Sequence, residues 1–167
     1  MFNKRTWALS TALTTAVAVG ATALPTTAQT APIVLEQLGD RSVFSDRVEL
    51  KFKVKDHDGE MTVVSTDDAS RTAVARITVQ PGARFPWHSH AGPVVVNIDQ
   101  GSLTYVEGDD CHEHSYGEGE AFVDSGHGHV HSAYNPGTTE TVLYATFFEA
   151  PKQGPLNIPA PAPDCAQ

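Results

Sequence analysis

The chain has 167 residues, 20 of them acidic and 11 basic, with a formal charge of −9, two cysteines and eight histidines. That length fits one domain, and the acidic balance argues against nucleic acid or an anionic membrane as a partner, since both attract basic patches. Charged residues are only 19% and apolar residues 40%, which excludes a disordered segment or coiled coil, and the 13 glycines and 11 prolines point to short elements joined by turns.

In chain order, the basic pair Lys4 and Arg5 precedes residues 7–24, which carry no charge, and then Pro25 and the small residues Thr26-Thr27-Ala28. This is the pattern of a secretory signal peptide cut after Ala28, with Ala23 as the second site; a membrane anchor is the competing reading, at the short limit of spanning length. Removal of 1–28 takes two basic groups and no acidic ones, so 9 basic against 20 acidic residues leave −11. Export places the mature chain outside the cell or in the periplasm, where disulfides persist.

Residues 47–54 alternate, with Val48, Leu50, Phe52 and Val54 on one face and Arg47, Glu49, Lys51 and Lys53 on the other. Ala73, Ala75, Ile77 and Val79 repeat the pattern, which is that of a half-buried strand. Residues 61–65, 94–98, 103–106, 121–123 and 141–148 are further β-branched or aromatic runs, separated by turn signals such as Pro81-Gly82, Gln100-Gly101 and Asn135-Pro136-Gly137. About eight short strands predict an all-β sandwich or barrel. Residues 151–163 hold five prolines and predict an extended surface tail that joins no central strand. The chain divides into a signal peptide (1–28), an extension (29–46), a β-barrel (47–150) and the tail (151–167).

Cys111 and Cys165, the only cysteines, are expected to form one disulfide in an oxidising compartment. The alternative makes Cys111, His112 and His114 a soft-metal cluster. Seven histidines lie between 88 and 131. His88 and His90, and again His129 and His131, stand two apart, so each pair shares one strand face. Two such pairs predict a metal site, because imidazole is the commonest ligand of zinc, copper, iron and nickel. His112 and His114 are read as a solvated hairpin tip, His127 as an exposed turn residue and His57 as a turn residue.

The spacing Gly82-x5-His88-x-His90-x3-Val94-x6-Gly101 resembles the first cupin motif, with Val94 where that motif has glutamate. Gly128, His131 and Asn135 resemble the second motif, with Gly126 in place of its proline. The resemblance covers residues 70–149. It implies a jelly-roll β-barrel holding a divalent first-row metal (Fe, Mn, Zn, Ni or Cu) on His88, His90 and His131. His129 is a further ligand, an outer hydrogen-bonding partner or an acid/base group. Without the glutamate, three neutral imidazoles leave the metal's charge uncompensated, which favours an anionic ligand and predicts metal loss from roughly pH 5 to 6. Trp87 and Tyr105 are candidate pocket walls for a small-molecule ligand, or else core residues. The resemblance implies a metal-dependent dioxygenase or related oxidoreductase on a small polar substrate, or a non-catalytic metal- or ligand-binding module, with a metal-free structural protein as the third reading. A homodimer is one assembly that the resemblance implies; the sequence does not fix the oligomeric state.

Overall fold

A computed structural model describes residues 32–55 and 61–167. The signal peptide and His57 lie outside the described residues. Thirteen strands form among them: β1 (Ile33–Gln37), β2 (Ser42–Val43), β3 (Leu50–Lys55), β4 (Met61–Thr66), β5 (Arg71–Val79), β6 (His88–Ser89), β7 (Val94–Gln100), β8 (Ser102–Glu107), β9 (Glu113–Gly117), β10 (Ala121–Asp124), β11 (His131–Tyr134), β12 (Thr141–Phe147) and β13 (Ile158–Pro159). A single 3-10 turn, Asp164–Ala166, is the only helical piece among the described residues.

Strands β5 to β12 fall into two antiparallel sheets, ordered β5-β12-β7-β10 and β6-β11-β8-β9. Numbered one to eight, these orders are 1-8-3-6 and 2-7-4-5. The chain therefore crosses repeatedly between the sheets, which is the jelly-roll arrangement of two Greek keys. This bears out the all-β jelly-roll expectation.

The cause is visible in the alternation. Ala73, Ala75, Ile77 and Val79 of β5 are buried while the residues between them are not, and Leu143, Ala145 and Phe147 of β12 pair in register beside them. Val94, Val96 and Ile98 of β7 and Leu103 of β8 complete the core between the sheets. Gly101, which closes the first motif, has φ +78°, and a Cβ there would meet the Glu140 carbonyl at 2.9 Å. Only glycine fits that turn.

Three features depart from the reading of the sequence. The extension contributes β1 and β2, both paired to β5. The alternating segment at 47–54 forms β3 in a separate hairpin with β4, its apolar side half-buried and joined to the barrel by Phe52 against Phe148. His114, read as part of a solvated hairpin tip, lies in β9 (Glu113–Gly117), which is in full register with β8. The polar composition of this segment conceals a strand that buries little of either face.

The tail adds an edge strand, as its prolines require. Ile158 and Pro159 pair with Ser89 and His88, and the Ala160 N–H donates to the Trp87 carbonyl. It is more than a surface ribbon, because Leu156 joins the hydrophobic core. Cys111 and Cys165 are bonded, with Cα atoms 5.8 Å apart. That excludes Cys111 as a thiolate ligand beside His112 and His114.

Candidate metal centre

His131 on β11 is the direct register partner of His88 on β6. Opposed residues of an antiparallel pair project to the same face, so both rings enter the space between the sheets. His90, two residues on, follows. The three residues are 6%, 6% and 4% exposed. Their ring centroids are 4.3 to 5.1 Å apart, and one ring nitrogen from each lies within 4.8 Å of the others.

The ring nitrogens are sorted by their partners. His88 Nδ1 lies 2.7 Å from the Pro86 carbonyl and His90 Nδ1 lies 3.0 Å from the Leu156 carbonyl. A carbonyl can only accept, so Nδ1 carries the proton and Nε2 keeps its lone pair. Burial, then the nearby His131, brings the His88 pKa down to about 4. Burial also lowers that of His90. Both rings are neutral at physiological pH, as metal ligation requires.

Asp124 Oδ2 lies 2.8 Å from Nδ1 of His131. The two groups are close without a completed hydrogen bond between them. Tyr105 donates its hydroxyl to Asp124 Oδ2 at 2.9 Å, and the Gly126 N–H donates to Oδ1 at 2.6 Å. Burial pushes the Asp124 carboxyl upward, but contact with His131, the nearby His90 and the Gly126 N–H outweigh it and hold the group ionised. Burial, reinforced by the Asp124 charge, drives the Tyr105 phenol well above its usual range, so it stays a donor.

His129 stands apart from the three-ring cluster. Its Nε2 pairs with Glu107 Oε2 at 2.9 Å, which raises its pKa, and its Nδ1 is 3.4 Å from the Tyr105 hydroxyl. It groups instead with Asp124 and His131. His127 reaches Glu149 at 3.0 Å near the surface. His112 and His114 lie together on the β8–β9 hairpin, their rings 4.5 Å apart.

The cavity encloses about 60 Å³ and is lined by the three histidines, Asp124, Tyr105, Phe85, Val94 and core aliphatics. Tyr105 is thus a wall residue. Trp87, in the bend before β6, is not among the lining residues. Val94 faces the cavity, as its place in the motif implied. Asp124 was not foreseen. In sequence it only ends a short apolar run, and its place opposite Val94 depends on the β7–β10 register.

No family model matches the chain, and no curated protein matches it. Solved structures do. Neighbours of this fold are cupin-superfamily proteins. A cupin-superfamily protein from Desulfitobacterium hafniense DCB-2 is 11% identical, with 73% of this chain and 82% of that one covered and a TM-score of 0.46. A cupin-like protein from Thermotoga maritima is 24% identical, covering 45% of this chain and 54% of that one at a TM-score of 0.40. An oxalate oxidase is 18% identical over 67% of this chain and 55% of its own, at a TM-score of 0.47. The chain spans about half the length of the last two.

Proposed function

We propose that the chain is an exported, cupin-type metal protein that holds one divalent first-row transition metal on Nε2 of His88, His90 and His131. The observation that carries this reading is the pair of carbonyl contacts that fixes the His88 and His90 tautomers and leaves their Nε2 lone pairs free, in a cluster where one ring nitrogen of each of the three histidines lies within 4.8 Å of the others. Three buried neutral imidazoles suit Zn, Cu, Fe, Ni or Mn better than a hard alkaline-earth ion. The metal, when bound, supplies Lewis acidity or one-electron chemistry.

The protein supplies the rest. Phe85, Val94, Val96 and Phe147 make an apolar wall that excludes water and strengthens charge interactions at the metal end. Tyr105 presents a hydroxyl that remains protonated. The cavity of about 60 Å³ is far below the roughly 300–1,000 Å³ of pockets for drug-sized ligands, which supports a substrate of only a few heavy atoms. Oxidoreductase chemistry on such a molecule is the activity the site supports best. The disulfide and the absence of any membrane-length apolar helix among the described residues are compatible with export.

Metal analysis of untagged, as-purified protein tests the reading, and oxygen uptake with small hydroxy and keto acids tests the activity. One iron, manganese or copper per chain with substrate-dependent uptake is expected. Zinc without turnover identifies a non-catalytic binding module. His88→Ala with His90→Ala should abolish stoichiometric metal while the β circular-dichroism spectrum persists; retained metal would place the ion elsewhere.

A further inference from the structure

We infer that Asp124 is the carboxylate of this centre, transposed one strand from the position that Val94 occupies and acting on the metal through His131. The inference rests on the three-histidine reading above.

Val94 and Asp124 are register partners across β7 and β10. Each is 2% exposed, and both line the cavity. Directly opposed residues on one sheet face carry their Cβ atoms about 4.5–5.5 Å apart. A negative charge is therefore present one strand away from the place where the motif would put it.

Asp124 is not one of the converging ligands. The mutually close donor atoms are those of His88, His90 and His131, and Asp124 falls in a different group, with His129 and His131. Both of its oxygens are already engaged. Gly126 and Tyr105 donate to Oδ1 and Oδ2, and Oδ2 also meets His131 Nδ1. The Gly126 donor is itself fixed. Its φ is +63°, and a Cβ there would stand 2.0 Å from the Gly92 carbonyl oxygen, so the residue is glycine where the motif has proline. A carboxylate clamped in this way does not swing round to the metal.

The three histidines then differ in what stands behind them. His88 and His90 face neutral carbonyls, whereas the group 2.8 Å from Nδ1 of His131 is a carboxylate. A carboxylate 2.8 Å from that ring acts through its charge, favouring positive charge on the imidazole and making Nε2 the better ligand, with an effect on metal affinity of typically 10- to 100-fold. It also offsets part of the metal's charge without using a coordination position. The open positions that a glutamate ligand would reduce stay available to substrate. Conversely, a buried anion is costly alone, and a metal-loaded imidazole is the cation that Asp124 is placed to meet.

Asp124→Asn keeps the shape and removes the charge. Zn(II) affinity by chelator competition should fall roughly 10- to 100-fold, with stoichiometry still one per chain. The visible spectrum of the Co(II) form should keep its coordination number. Val94→Glu should restore most of the affinity in the Asp124→Asn background. In the wild type it should gain less than about threefold, because two carboxylates opposed across strands repel. A purely structural role for Asp124 predicts no such rescue.

Unchanged affinity in Asp124→Asn overturns the inference. So does a changed Co(II) coordination number, which would make Asp124 a ligand, or two Zn(II) per wild-type chain, which would make Asp124, His129 and His131 a second site. Should Asp124→Asn not fold, Val94→Glu alone decides, since a gain of tenfold or more would mean that the charge is still missing. Failure of the three-histidine reading looks different: wild type would bind no Zn(II), or His88→Ala with His90→Ala would keep it.

Discussion

At the scale of single residues, burial sets the chemistry of the histidine site before any ion arrives. An unfolded histidine titrates near about 6.5, whereas His88 in the fold titrates at about 4 and His90 is also lowered. Between those values the unfolded chain binds protons that the folded apoprotein refuses. Stability of the apoprotein therefore falls as pH drops from about 6.5 toward 4, and His88 alone accounts for about 3 kcal/mol of that fall. Asp124 works in a different window: its lowered pKa favours the fold above the ordinary aspartate range, and that contribution is lost only in stronger acid. Thermal melts of apoprotein from pH 7 to 4.5 should show a steadily falling Tm, with a shallower slope in His88→Asn; a flat wild-type profile would mean that His88 titrates as if exposed. The same burial weakens proton competition for the metal. Release in Zn(II) equilibrium dialysis is expected below about pH 5, lower than unperturbed imidazoles would give.

At the scale of elements, the tail is part of the metal centre. Strand β13 pairs with β6, which carries His88, while the Leu156 carbonyl receives Nδ1 of His90. Cys165 ties the tail's end to Cys111 beyond β8, closing a loop of 54 residues. In the chain-entropy model such a link stabilises by about 4 kcal/mol. Cys111→Ser with Cys165→Ser should lower the denaturant midpoint by a corresponding amount. It should also weaken Zn(II) binding several-fold, because the acceptor that orients His90 is no longer tethered. Equal Zn(II) affinity in the reduced and oxidised proteins would separate the tail from the site.

At the scale of the molecule, one core serves both fold and site. Phe147 is buried among the aliphatics of both sheets, and its ring stands edge-on to His90 with centroids 5.2 Å apart. Phe147→Ala should cost about 3–5 kcal/mol in urea unfolding through lost burial and the cavity left behind. It should also reduce metal affinity, since His90 loses a wall; loss of stability without loss of affinity would show that the carbonyl of Leu156 suffices to hold the ring.

Much of this was legible in the chain alone, because periodicity is local. Alternation of apolar and polar residues placed β5 and its inward face, and a β-branched run placed β7. The two-residue spacing of His88 and His90 placed both rings on one side, and the two cysteines had only each other to pair with. What required the tertiary structure was register and reach. No local pattern says that β10 slides against β7 so that Asp124 faces Val94, and that pairing decides whether the centre has its negative charge. The polar strand β9 and the paired extension β1 became visible only against their partners, since their hydrogen bonds lie with β8 and β5. Trp87 and Tyr105 were equivalent as sequence, and the structure lines the cavity with Tyr105 and not with Trp87. His129, of the same parity as His131, was drawn to Glu107 because that carboxylate lies on the neighbouring strand β8, 22 residues away in the chain and 2.9 Å away in space.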